Sequence, residues 1–170
     1  MKWHAELNMN HLANETGSAT EYLVLLRGIN VGGNNIIKMG DLKTLFVEMG
    51  FTNVITYIQS GNVIFNDFEK DRLKLENKIE KNLAQSFSAD IKVSAFTLSE
   101  MAEIIDKKPD KYGEEDEKYK YDVIFLIDPL TAKEAIKEVK TREGVDEIYE
   151  GNRVLYFKRL KEKFTKTYLT

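Results

Sequence analysis

Two short stretches of this 170-residue chain concentrate the residue types that hold polar ligands. One is Arg27-Gly28-Ile29-Asn30-Val31-Gly32-Gly33-Asn34-Asn35, with Lys38 shortly after it; the other is Gln59-Ser60-Gly61-Asn62. A glycine-rich loop between a strand and a helix can turn backbone N–H groups toward an anion. An arginine beside it adds a bidentate contact to phosphate or carboxylate. Asn and Gln amides can read a base or a sugar, because each carries donors and an acceptor. The spacing excludes two familiar phosphate loops. No Gly-Lys-Ser/Thr follows, so this is not a Walker A loop, and Gly28-x-x-x-Gly32-Gly33 is not spaced as a dinucleotide fingerprint. The same residues also have a purely structural reading. The glycines then serve a tight loop packed under the hairpin, and Arg27, Asn30 and Asn62 satisfy its carbonyls.

Other chemistries are removed by what the chain lacks. It has no cysteine, and its two histidines, His4 and His11, both precede residue 20. Residues 20–170 therefore offer no Ser-His triad, no thiolate nucleophile, no imidazole base and no soft metal ligand. We expect no metal site and no cofactor. Acid–base chemistry would fall to Tyr57, Lys38 or a carboxylate.

The elements that position these residues follow from periodicity. Residues 1–19 show no clean period and read as a flexible leader or an expression remnant. Tyr22–Arg27 reads as a buried strand, ended by the glycine loop. Leu42, Leu45, Phe46 and Met49 lie on one helical face, stopped by Gly50. Val54–Gln59 and Asn62–Asn66 read as strands joined by a tight Ser60-Gly61 turn. On that two-residue turn, Phe65 faces the same side as Ile58 and Val63, and that side is core. A helix from Glu69 to Ala84 and a strand from Ile91 to Phe96 complete the order βαββαβ. That is the order of the ferredoxin-like plait, whose strands lie 4-1-3-2 because the first crossover is right-handed. This topology brings the glycine loop and the hairpin to the same end of the sheet.

The second half partly repeats the pattern. Thr97-Leu-Ser-Glu100 reads as a capping box opening a helix to Lys107, Tyr121–Asp128 as a strand, and Thr131-Ala-Lys-Glu134 as a second capping box with a helix to Lys140. Val145–Tyr149 and Arg153–Phe157 pair across Glu150-Gly151-Asn152. This sets Gly151-Asn152-Arg153-Val154 beside Ser60-Gly61-Asn62-Val63 as equivalent hairpins. The expected class is α+β, with two tandem ferredoxin-like subdomains at 20–97 and 98–170; one larger mixed sheet is the alternative.

Composition adds limits. With 42% hydrophobic residues the chain can bury a core. No apolar run nears the roughly 20 residues that cross a bilayer, and the first residues lack a secretory signal, so a cytoplasmic location is expected. The net charge of −3 argues against strong non-specific nucleic-acid binding. Charge is uneven, however. Glu114–Glu117 reads as a solvated acidic loop. The end of the chain carries Arg153, Lys158, Arg159, Lys161, Lys163 and Lys166 against Glu162. Interleaved with Tyr156, Phe157, Phe164 and Tyr168, these residues form either a nucleic-acid strip or an ordinary surface helix.

The run Leu26-Arg27-Gly28-Ile29-Asn30-Val31-Gly32-Gly33 with Lys38-Met39, and Tyr57-Ile58-Gln59-Ser60-Gly61-Asn62-Val63 after it, resemble the opening of the bacterial family DUF1697. The similarity spans residues 20–170 and includes Leu155-Tyr156-Phe157 and Phe164-Thr165-Lys166-Thr167. It implies two ferredoxin-like subdomains and carries no established activity. Relatives in that family run on through a segment with an Arg-Asn pair. A site completed by that segment would be held here only in part.

Three functions are compatible with these features. The first is a binding module for an anionic or phosphorylated ligand, a nucleotide or nucleic acid, held by Arg27, Gly28, Asn30, Gly32, Gly33, Lys38, Gln59, Ser60, Gly61 and Asn62. The second is an enzyme using Tyr, Lys or carboxylate acid–base chemistry. The third is a protein–protein interaction domain without a small-molecule site. A membrane partner is not expected.

Overall fold

The structure, a computed structural model, describes residues 18–33, 35–59 and 61–168. The expected leader lies almost wholly outside the described residues. The chain divides into two compact units, residues 1–98 and 99–170.

In the first unit, β1 is Thr20–Leu26, α1 Met39–Glu48, β2 Thr52–Tyr57, β3 Asn62–Asp67, α2 Arg72–Phe87 and β4 Val93–Thr97. The sheet is antiparallel, in the order β2-β3-β1-β4. This is the 4-1-3-2 order expected from a right-handed crossover with a gap filled by β3. Alternation places Tyr22, Val24 and Leu26 of β1, and Val63 and Phe65 of β3, on the helix-covered face. Leu42, Leu45 and Phe46 of α1 and Leu75, Ile79 and Leu83 of α2 close that core. Phe65 is its centre, with ring centroids 4.2 Å from Phe51, 5.4 Å from Phe46 and 5.9 Å from Tyr22.

The two edges of this sheet are treated differently. Along β4, carboxylates of α2 cap backbone N–H groups that no strand pairs. Glu76 accepts from Ala95 N at 2.8 Å and Glu80 from Val93 N at 3.0 Å. Glu76 is buried, with Arg72 at 3.5 Å to balance its charge. Among the described residues the β2 edge has no such cover. It carries instead a register shift between Thr52 and Ile55, with Asn53 at φ 53°. Bulges of this kind discourage strand addition at an open edge.

In the second unit, α3 is Leu98–Asp106, β5 Tyr119–Phe125, α4 Ala132–Glu138, β6 Asp146–Glu150 and β7 Val154–Leu160, followed by a 3₁₀ segment at Lys161–Lys166. The antiparallel sheet has the order β5-β7-β6. Read from β6, this repeats β2-β3-β1 of the first sheet. Among the described residues there is no fourth strand, so the expected second plait is incomplete. The protein is therefore an α+β chain with two antiparallel sheets. The Thr131–Glu134 capping box forms in both directions and starts α4. Leu126, Ala132, Ala135 and Leu155 pack on one sheet face. On the other face, Tyr112 meets Tyr121 and Tyr156 edge-on at 4.8 and 5.4 Å, and the Tyr156 hydroxyl donates to Ile104 O at 2.6 Å.

The basic chain end is neither a free strip nor a simple surface helix. Tyr156 is buried in β7, Arg159 is buried and pairs with Asp122, and Phe164 lies under Lys120 and Arg159 at 5.4 and 5.0 Å. No helix among the described residues is long and apolar enough to cross a membrane.

Candidate functional site

The glycine loop and the β2–β3 hairpin meet at one end of the first sheet. Leu26, the last residue of β1, donates its backbone N–H to Gly61 O at 3.2 Å. Beyond it the chain turns through a run of left-handed residues: Gly28 (φ 73°), Asn30 (φ 55°), Gly32 (φ 60°), Gly33 (φ 79°) and Asn35 (φ 47°). Asparagine tolerates this region better than other residues with a Cβ. Two asparagines hold the shape. Asn30 Oδ1 accepts from Ile37 N at 2.8 Å, while its Nδ2 donates to Ile37 O at 3.0 Å and to Gln59 O at 2.9 Å. Asn35 Nδ2 donates to Gly28 O at 3.1 Å, and Asn30 N donates to Asn35 O at 3.1 Å.

Asn30 is therefore a clasp between the two loops. Its amide is spent on backbone groups, which is the structural reading given above for it. Gly61 is structural too. It is buried at φ 83°, and a Cβ there would stand 2.3 Å from Ile29 Cδ1 and 3.1 Å from Leu26 Cβ. Gly28, Gly32 and Gly33 differ, since a Cβ on any of them meets nothing within 4 Å. These three are exposed glycines with open space above them.

Arg27 is exposed. Its backbone N–H is held by Lys92 O at 2.9 Å, while its guanidinium has no hydrogen-bond or ion-pair partner among the described residues. Lys38 precedes α1 with an extended backbone and an exposed side chain. Gln59 is exposed, with its carbonyl taken by Asn30. Asn62 is half-buried between Leu25 and Tyr57 in the sheet register. Ser60 and Asn34 lie outside the described residues.

The hairpin departs from its expected form. Tyr57 pairs with Asn62, so the loop is the four residues 58–61 and not the two-residue Ser60-Gly61 turn. Ile58 takes φ 48° and is 57% exposed, so it does not share the core side with Val63 and Phe65. The longer loop lets Gly61 fold back onto Ile29 and Leu26. Val31 and Ile36 are likewise exposed, at 65% and 77%. This apolar rim has no signature in the sequence, where isolated Val and Ile read as core.

The same end of the second sheet is chemically different. Leu126 N donates to Arg153 O at 2.9 Å, the counterpart of the Leu26–Gly61 bond. Arg153 thus stands where Gly61 does, and Val154 where Asn62 does. The sequence-based pairing of the hairpins is displaced by one residue, because the second hairpin turns through Asn152-Arg153 alone, with Gly151 N bonded to Val154 O at 2.9 Å. Arg153 is held by Asp128 at 3.5 Å and Glu100 at 3.9 Å. An arginine bound by carboxylates takes the place of an open loop.

Among the described residues no group of His, Asp or Glu side chains is placed to hold a metal ion. Tyr57 is exposed and has no hydrogen-bond partner among them.

These features define an α+β protein of two antiparallel sheets, the first ending in a solvent-open pair of loops with an arginine that has no partner among the described residues. The chain belongs to the DUF1697 family, proteins of unknown function, whose family model matches residues 19–156. It is similar in fold to a conserved bacterial protein from Streptococcus pneumoniae, SP0830, with a TM-score of 0.76 and 23% sequence identity over 88% of this chain and 82% of that one. No functionally curated protein matches the chain.

Proposed function

We propose that the first unit is a binding module for an anionic, phosphate-bearing ligand at the end of the sheet where the glycine loop meets the β2–β3 hairpin. The observation that carries this reading is Arg27, a guanidinium exposed and unpartnered among the described residues at the start of the loop that carries the open glycines Gly32 and Gly33. An arginine needed only for the fold would be spent on carbonyls or a carboxylate, as Arg153 is in the second unit. Lys38 adds a second exposed cation. Asn30 and Gly61 shape the loop and do not touch the ligand. The repeated strand order supports a duplicated plait, with the second copy shortened by a strand and its loop end closed.

The test is a thermal-shift and calorimetric screen of the full chain against inorganic phosphate, phosphosugars, nucleotides and oligonucleotides. A ligand at 100 times its Kd stabilises by about 2.7 kcal/mol. Arg27→Ala is expected to lose binding at an unchanged melting temperature, since exposed substitutions of this kind cost about 0.5 kcal/mol or less. Retention of full affinity in Arg27→Ala would remove the proposal.

A further inference from the structure

Beside the loops, the sheet face opposite the helices opens at its β2 edge. Its first cross-strand row runs Tyr57–Asn62–Leu25–Ser94. Exposure along the row is graded: Ser94 is buried, Leu25 and Asn62 are half-buried, and Tyr57 is 63% exposed. In the next row Ile55 is 58% exposed on the same side of the sheet. The accessible part of this face is therefore a ledge formed by one tyrosine ring and one isoleucine. Two residues beyond Tyr57 comes the exposed Gln59, whose carbonyl is bound by Asn30 of the loop that begins at the exposed Arg27 and runs to the exposed Lys38. The first carboxylate on this face is Glu21, two rows farther from the loops, opposite Asn66.

We infer that this ledge is a nucleobase subsite, and that the anion recognised at the loops is the phosphate of a nucleotide unit whose base stacks on Tyr57. The inference rests on the anion-site reading above and adds the class of ligand to it. An inorganic phosphate or a sugar phosphate uses the cations and leaves the ring idle. A nucleotide uses both, because every base has a flat π-face that stacks on an aromatic side chain. Gln59 supplies an exposed amide for the edge of such a base. The arrangement differs from the RNA-recognition platform, which stacks bases on aromatics of the two central strands. Here the central strands present Leu23, Leu25 and Ile64 on this face, and Tyr57 is its exposed aromatic on the edge strand. One ring provides for one stacked base. That base can belong to a free mononucleotide or to a single strand.

The experiment titrates the full chain with ribose 5-phosphate, the four nucleoside 5′-monophosphates, a single-stranded decanucleotide and its duplex. At least one monophosphate is expected to bind about tenfold or more tightly than ribose 5-phosphate, the effect of one stacked base. Tyr57→Phe should preserve that ratio and Tyr57→Ala should bring it close to one, with melting temperatures unchanged in both. A single strand that outbinds both the monophosphate and the duplex supports the inference with a strand as the source. A monophosphate that binds as tightly as the strand supports it with a free nucleotide. If ribose 5-phosphate binds as well as every monophosphate, or if Tyr57→Ala keeps the ratio, the base subsite is overturned while the anion site stands. If none of the phosphate probes binds, the anion-site reading fails and the subsite falls with it.

Discussion

The side-chain amide of Asn30 donates to the backbone carbonyl of Gln59 at 2.9 Å and joins two loops 29 positions apart. The same side chain exchanges two hydrogen bonds with the backbone of Ile37. One residue thus holds the glycine loop closed and ties it to the hairpin.

Asn30→Ala removes all three bonds and leaves a less tolerant residue at φ 55°. We expect a loss of about 2 kcal/mol or more in chemical denaturation. Asn30→Asp should be no better, since a carboxylate oxygen would then face the carbonyls of Ile37 and Gln59. Asn30→Gly relieves the backbone and not the lost bonds, so recovery to full stability would show the clasp to be unimportant.

Gly61 and Gly33 both take left-handed backbone, yet their alanine variants should separate widely. Gly61→Ala drives a methyl into Ile29 and Leu26, both buried, and should cost about 3 kcal/mol. Gly33→Ala meets only the conformational penalty, about 1 kcal/mol. Equal melting temperatures for the two variants would contradict the close approach of the hairpin to the loop.

Asp146 fastens the end of the chain in the second unit. It is 6% exposed and accepts from Thr167 Oγ1, from Arg142 N at 2.9 Å and from Tyr168 N at 3.2 Å. Burial alone would raise this carboxyl. The hydrogen bonds from Thr167, Arg142 and Tyr168 and the charge of Arg159 outweigh it and hold the group below its ordinary 3.8. A depressed carboxylate stabilises the fold above its unfolded pKa, and that contribution disappears as the pH falls through the folded value. The melting temperature should therefore drop below about pH 4. Asp146→Asn should flatten that drop and speed amide exchange at Thr167 and Tyr168.

Tyr112 sets the alkaline limit. Its hydroxyl donates to Asp122 O at 2.8 Å and Phe157 O at 3.2 Å. Burial, then the Asp122 carboxylate, push the phenol from 10.0 up to about 12. A raised folded pKa gives stability that is complete below about pH 10 and is lost as the pH rises toward 12. Ultraviolet titration should show buried tyrosine, Tyr112 with Tyr156, ionising together with unfolding at the alkaline end. Tyr112→Phe should reduce this slope and cost about 1–2 kcal/mol at neutral pH.

Much of the first unit is legible in the linear chain. Alternation at Tyr22, Val24 and Leu26, the four-residue spacing of Leu75, Ile79 and Leu83, and the handedness of one crossover suffice for its strand order. The same rule brings the glycine loop to the hairpin. The roles within that cluster are not legible, because an exposed arginine and a buried one have the same letter. Nothing in the sequence marks Glu76 and Asp146 as buried, and only their partners on other elements reveal why they are.

By itself the sequence determined which segments alternate, which turn, and which residue types are missing from residues 20–170, since those follow from local periods and from composition. Tertiary structure decided the rest. The length of the β2–β3 loop depends on Gly61 resting against Ile29 and Leu26, more than 30 residues earlier in the chain. That contact turns Ile58 outward and ends β2 at Tyr57, leaving its ring on the open face. It also separates Asn30, consumed by the backbone, from Arg27, left in solvent. Burial and partnership are long-range properties: each depends on which distant backbone groups arrive beside a side chain once the sheet has closed.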